Sequence, residues 1–412
     1  MTDIAEIRRS LERFRRDAEH AELAVNLVPS ENRMSPLARI PLATDYYNRY
    51  FFNFGLDPEY WQFRGGQEVA ELEVGLAVRS LRRLGAAEHV NVRPVSGMSA
   101  MTMAMAALGG SSGGVVVSIA QSSGGHHATC GTARGLGFTS MTLPVSRGAV
   151  DEPLLAKVLQ EHRPVLVYLD LANGRHELQV SRVRELIDAY SPRTRLHVDC
   201  SHTLGLVLGG VLDNPLDTGA DSMGGSTHKT FPGPHKGVLF TRSAELDDRL
   251  NDVQYSMLSS HHFAETLALA FASAEFLHFG RDYAKQVISN AQLLGKLLAA
   301  NRFDVVADEG GFVTATHQVW VKVGDAERTN ALARALYAHN VRVNVQVDLP
   351  HVPGPVFRLG LNELTFLGGR EDAVHAVAEE LAGARDGRRQ DGNGGVRIRE
   401  RCEEPFFWTD LV

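Results

Sequence analysis

At 412 residues, with 44% apolar and 22% charged side chains, the chain is long enough for two packed domains and has the composition of a globular protein. A formal net charge of −7 excludes the basic footprint of a nucleic-acid or anionic-membrane binder, and no apolar run approaches the roughly 20 residues of a membrane span. Three scattered cysteines (Cys130, Cys200 and Cys402) suit neither a disulfide framework nor a CxxC metal site; with a charged N-terminus lacking an apolar stretch, they point to a reduced, cytoplasmic compartment.

Ile4, Ile7, Leu11 and Phe14 recur at helical spacing and predict an N-terminal helical arm over residues 1–22, its apolar stripe packing on something apolar. Arg8-Arg9 and Arg15-Arg16 read as the arm's solvated face. Aromatics crowd between Tyr46 and Phe63, which suits a buried interface or a pocket wall. From residue 68 helices alternate with short apolar strands: helices over Glu68–Leu84 and Ala100–Leu108, strands over 114–118, 164–169 and 194–198. That alternation predicts an α/β fold with a mostly parallel central sheet, helices on both faces, and functional residues at the strand C-terminal ends. Residues 261–300 read as a long helical stretch, Phe263–Phe279 and then Tyr283–Leu298. A strand–helix–strand pattern (318–323, 327–339, 342–347) then predicts a smaller α+β C-terminal domain. The expected division is a large domain over 23–280, a small one over 281–384, and a linker and tail over 385–412. The tail's Gly-rich stretch to Gly395 reads as disordered, and its Pro405–Thr409 segment as docking back on the protein.

The segment Gly224–Gly237 places Lys229 among small residues, glycines and prolines, on a shaped loop rather than a regular element. Alone it reads equally as a surface lysine in a turn. Some thirty residues earlier a strand ends at Asp199, where a carboxylate can pair with a pyridinium nitrogen. Ser96, Gly97, Met98 and Ser99 lead into a helix whose N-terminal hydroxyls and N–H groups suit a phosphate. His126 follows a Gly-Gly turn, where an imidazole can stack on a cofactor ring. Each signal alone is weak, since turns, caps and structural histidines look alike. Their order, phosphate loop, histidine, aspartate, lysine, is that of fold-type I pyridoxal-phosphate (PLP) enzymes.

From Leu27 to Gly360 the chain resembles the serine hydroxymethyltransferase group of that superfamily, through Leu27–Asn32, Pro94–Ala100, Val198–His202, Ser226–Thr230 and Phe357–Gly360. The resemblance implies pyridoxal 5′-phosphate as cofactor and the aspartate-aminotransferase-like fold. It implies a Schiff base on Lys229 with His228 beside it, a phosphate loop at Ser96–Ser99, His126 stacked on the ring, Asp199 on the pyridinium and His202 near the substrate. Ser30 and Arg358 would hold the amino-acid carboxylate, a task suited to a bidentate guanidinium. Tyr50 would reach a neighbouring subunit's site, implying a homodimer or a dimer of dimers with shared active sites.

The departures narrow the reading. The acidic residue that folate-dependent one-carbon transfer needs is replaced by Phe52, which neither donates nor accepts a proton. Phe63-Arg64 replaces paired tyrosines, Met98 replaces a common serine, and the loop Val347–Pro355 is short. The chain is more similar to the L-threonine transaldolases, through Thr227–Gly237, Phe279–Ala284 and Gly311–Gln318. That likeness implies cleavage of L-threonine to acetaldehyde and addition of the remaining glycyl unit to an acceptor aldehyde, giving a β-hydroxy-α-amino acid of secondary metabolism. His126, His202 and His228 are all candidate bases. A serine or α-methylserine hydroxymethyltransferase acting on serine or glycine, a threonine aldolase, and a catalytically idle partner protein of the same fold are the alternatives.

Overall fold

The computed structural model describes residues 3–49, 59, 66–110, 112–258, 262–388 and 391–411. Tyr50, Phe52, Phe63 and Arg64, which the sequence singles out, lie outside the described residues. A seven-stranded sheet carries β1 (His89–Asn91), β2 (Val115–Ile119), β3 (Thr139–Leu143), β4 (Leu166–Asp170), β5 (Arg195–Asp199), β6 (Ser222–Ser226) and β7 (Gly237–Thr241). Their order is β1-β7-β6-β5-β4-β2-β3, and only β7 runs antiparallel to its neighbours.

The near-continuous apolar runs follow from burial on both faces. Along β4, Leu166 and Tyr168 pack into one cluster with helix residues Ala100 to Leu108, while Val167 and Leu169 pack into another on the opposite face. β4 and β5 are in register, Tyr168 beside His197 and Asp170 beside Asp199. Side chains alternate along a strand, so Tyr168, Asp170, His197 and Asp199 share one face.

A second, antiparallel sheet follows in the order β8-β9-β11-β10, with β8 Asp304–Val305, β9 Gln318–Lys322, β10 Asn344–Leu349 and β11 Val352–Gly360. Val25 and Leu27 pack into its core, and Val25–Asn26 pairs in parallel with Val341–Arg342.

Five helices matter for the site: α1 (Ile4–Glu22), α2 (Gly97–Gly109), α3 (Phe263–Ala300), α4 (Glu371–Arg385) and α5 (Gly394–Arg399). The helical stretch expected over 261–300 is one helix, α3, of 38 residues that runs through Gly280. Its Phe276, Tyr283 and Val287 join the core of the large sheet, and its Ala291, Leu294 and Leu298 that of the second. The expected division at 280/281 therefore falls inside a helix. The stretch 384–395 differs from the expected linker in that α4 runs to Arg385 and α5 begins at Gly394. Phe406 is buried against the large core, and the Trp408 N–H donates to Glu275. No helix among the described residues is long and apolar enough to cross a membrane.

Candidate active site

Lys229 sits on a loop closed by its own backbone. The Thr227 N–H donates to the Lys236 carbonyl at 3.0 Å, the Gly233 N–H to the Thr227 carbonyl at 2.9 Å, and Thr227 Oγ1 to the Pro234 carbonyl at 2.7 Å. Neighbours fix the loop from outside: Asn32 Nδ2 donates to the Lys229 carbonyl at 2.6 Å, and the Tyr283 hydroxyl to the Thr230 carbonyl at 2.8 Å. Glycine is required just before it, because Gly225 has φ +142° and a Cβ there would lie 2.5 Å from Ser201 Oγ. Burial pulls the Lys229 amine down to about 8; the Asp199 carboxylate opposes this shift and Arg358 adds to it. At pH 7 roughly one amine in ten is then free to attack a carbonyl, against fewer than one in a thousand for an ordinary lysine.

The lysine faces a cavity of about 180 Å³ lined by Ser96, Gly97, Met98, His126, Asp199, His202 and His228, with Asp170, Ser201, Ser226 and His235 also in its wall. Ser96 caps α2: its Oγ accepts the Ser99 N–H at 3.1 Å, and Ser99 Oγ accepts the Ser96 N–H at 2.9 Å. Ser99 is thus turned into the cap and does not line the cavity, while the helix N-terminus and the Ser96 hydroxyl face it. Gly97 leaves no room for a side chain, since its Cβ would meet Ser226 Oγ at 2.2 Å. Asp199 accepts the Ser201 N–H at 2.8 Å and the Tyr168 hydroxyl at 2.7 Å. Burial, and next the Asp199 carboxylate it bonds, push that phenol well up, so it stays a donor.

The imidazoles differ in what they can do. His126 Nδ1 accepts the Ala128 N–H at 3.3 Å, so its neutral ring carries the proton on Nε2. Burial lowers His126, with the nearby His127 adding to the shift. Burial and the Lys229 charge hold His202 well below its usual range, and burial with His235 and Lys229 takes His228 to about 3. Both rings leave Nδ1 buried and without a hydrogen-bond partner. His228 stacks on His235 at 4.0 Å, and His202 on His317 at 5.8 Å.

Arg358 and Ser30 stand behind this wall rather than in it. Arg358, only 7% exposed, donates from Nε to Asn344 Oδ1 at 3.1 Å and from Nη1 to Asn173 Oδ1. It forms no ion pair among the described residues, and burial lowers it to about 10. A buried guanidinium held by amide oxygens can still pair with a carboxylate. Ser30 follows Pro29, whose carbonyl accepts the His317 Nε2–H at 3.1 Å. That bond ties the Leu27–Asn32 segment to the ring stacked on His202.

Asn32, Tyr168, Asp170, Asn173, His235 and His317 escaped the sequence reading. His317 lies 288 residues from its partner Pro29, so no local pattern marks it. Asp170 did carry a signal: a carboxylate ending an apolar strand, as Asp199 does.

The donor set suits pyridoxal 5′-phosphate: an amine with lowered basicity, a capped helix N-terminus for a phosphate, and a hydrogen-bonded carboxylate for a pyridinium nitrogen. Comparison with known proteins agrees. The family model for serine hydroxymethyltransferase matches residues 6–381. An L-threonine:uridine-5′-aldehyde transaldolase from a Streptomyces species is 65% identical over 411 residues, covering both chains completely. One of the same name from an Amycolatopsis species is 64% identical over 410 residues, again 100% of each chain. The serine hydroxymethyltransferase of Pyrobaculum arsenaticum is 35% identical over 87% of this chain and 83% of its own. Among solved structures, L-threonine transaldolase from Pseudomonas fluorescens in its internal aldimine state superposes with a TM-score of 0.83 at 29% identity, over 96% of this chain and 91% of that one. The chain has the fold-type I architecture and the PLP cofactor that go with it, and it belongs to the serine hydroxymethyltransferase family.

Proposed function

We propose that the chain is an L-threonine transaldolase whose acceptor is a nucleoside 5′-aldehyde, uridine-5′-aldehyde foremost. The observation that carries this reading is full-length identity of 64–65% to two proteins of that named activity, against 31–35% to the serine hydroxymethyltransferases. Pyridoxal phosphate, when bound, supplies the electron sink that lets the Cα–Cβ bond of threonine break.

The chain's own residues supply the rest. Lys229 holds the cofactor covalently, the Ser96–Gly97 end of α2 holds its phosphate, with Met98 and Ser99 completing that turn, and Asp199 holds its ring nitrogen. Arg358 grips the substrate carboxylate with Ser30 nearby. Removing the β-hydroxyl proton needs an imidazole with a free lone pair. His126 lacks one, because Nδ1 is occupied and Nε2 is protonated; it stacks and donates instead. His202 and His228 remain as the proton acceptors.

Incubating the protein with L-threonine and uridine-5′-aldehyde should release acetaldehyde and form the coupled β-hydroxy-α-amino acid without tetrahydrofolate. Acetaldehyde with free glycine and no coupled product would indicate an aldolase. Rapid folate-dependent turnover of serine would return the chain to the hydroxymethyltransferases.

We also propose that the working unit is at least a homodimer. Ile4, Ile7, Leu11 and Phe14 form a stripe on α1 that is 45–66% exposed, and α1 buries no residue in its own chain. Such a stripe needs a partner to cover it, and a second copy is the partner that Tyr50 also calls for. Sedimentation should show a dimer or larger species. Exchanging the four apolar residues for serine should shift the equilibrium toward monomer.

A further inference from the structure

We propose that Asp170 is a positioning residue for His126, and that it works as a hydrogen-bonding group rather than as a charge. Nothing in the reaction outlined above uses it, yet it lines the cofactor cavity and is 2% exposed. One carboxyl oxygen, Oδ2, accepts the His126 backbone N–H at 3.1 Å and the hydroxyl of Thr129. Thr129 opens the short helix Thr129–Gly135, so one oxygen ties both ends of the turn that presents the imidazole. The other oxygen, Oδ1, is buried, with the Ile119 backbone as the remaining donor near the carboxyl.

Two carboxyls here divide the work. Asp170 and Asp199 are register partners on adjacent parallel strands and point to the same face, about 5 Å apart in strand spacing. Asp199 is supported by a phenol and an N–H, and it faces the amine of Lys229. Asp170 is deeper and has that carboxylate as its neighbour. Burial drives its carboxyl group well up, Asp199 adds to this, and the bonds from Thr129 and His126 oppose it. Carboxyls so placed hold their protons as a coupled pair, and Asp170, deeper and with no cation beside it, is the better holder of one. A neutral acid keeps an acceptor oxygen for the His126 turn without contesting the pairing of Asp199 with the ring nitrogen.

The inference rests on PLP occupying this cavity, and its test is separable from that reading. Cofactor dissociation constants and the position of the visible band are measured on holoenzyme for Asp170→Ala, Asp170→Asn, His126→Ala and the Asp170→Ala/His126→Ala pair. Asp170→Ala should weaken cofactor binding by about tenfold and move the band, from the loss of two hydrogen bonds. Asp170→Asn, neutral and of the same shape, should stay within about threefold of the parent. With His126 already removed, Asp170→Ala should cost about twofold or less, because Asp170 acts through the ring. The proposal is overturned if Asp170→Asn fails as badly as Asp170→Ala, which would mean a needed charge, or if the two losses multiply. Should Asp170→Ala not fold, Thr129→Val takes its place in the same cycle with the same expected non-additivity. Failure of the PLP reading would look different: no visible band in the parent protein.

Discussion

Lys229→Ala abolishes the visible absorption band of the bound cofactor and lowers transaldolation by on the order of 10³-fold or more, the scale on which a nucleophile acting as part of a unit is lost. The effect is large because nothing nearby replaces the amine. Lys236, seven residues on, has a buried amine also held at about 8, but its Nζ lies outside the residues that line the cavity. A pH series separates a lost nucleophile from a lost fold. The free amine attacks, and burial lowers Lys229 to about 8. Cofactor uptake by apo-protein should therefore rise about tenfold per pH unit below that value and level off above it. An ordinary lysine would keep rising past pH 10. Stopped-flow absorbance measures the rate, and a curve still climbing at pH 10 would contradict the buried environment.

Arg358→Ala should reduce kcat/KM for L-threonine by about 10²–10³-fold, the worth of a pair of charge-assisted hydrogen bonds to a carboxylate. The loss should fall on the amino acid and leave the KM of the acceptor aldehyde nearly unchanged. Arg358→Lys keeps the charge but not the planar fork held by Asn344 and Asn173, and should recover only part of it. Steady-state kinetics with both substrates varied gives the two constants. An equal rise in both would move the carboxylate site elsewhere.

How much of this could be read without coordinates depended on distance along the chain. The phosphate turn, Asp199 and Lys229 each sit in a short stretch whose residue types betray the local geometry. Strands β2, β4 and β5 were legible for the same reason, as apolar runs buried on both faces. The antiparallel direction of β7 had no such mark, because it is set by the loop that carries Lys229. In the sequence Arg358 stands out only through resemblance, since an arginine in an apolar strand looks like any edge residue. Asn32 and His317 became visible only when segments hundreds of residues apart met.

The long helical stretch over 261–300 was legible, but not how its parts Phe263–Phe279 and Tyr283–Leu298 join without interruption. Gly280, which lies between them, costs a helix about 1 kcal/mol relative to alanine. Its carbonyl packs so close to Gly209 that a Cβ on the latter would lie 2.7 Å from it. That close approach explains the glycine at 209, while a Cβ at 280 would meet the Phe276 ring at 2.5 Å.

The unbroken α3 also acts as a ruler. Tyr283 binds the lysine loop, and Asn290, two turns later, binds Thr365 Oγ1 and the Gly369 carbonyl on the segment that follows Arg358's strand. Those anchors stand roughly 10 Å apart along the axis, at 1.5 Å per residue. The interval between the Lys229 loop and the segment that follows Arg358's strand is thus copied from helical pitch. Surface loops around the site can lengthen or shorten over evolutionary time without disturbing it. A single residue gained or lost between 283 and 290 would turn one anchor about 100° away from the other.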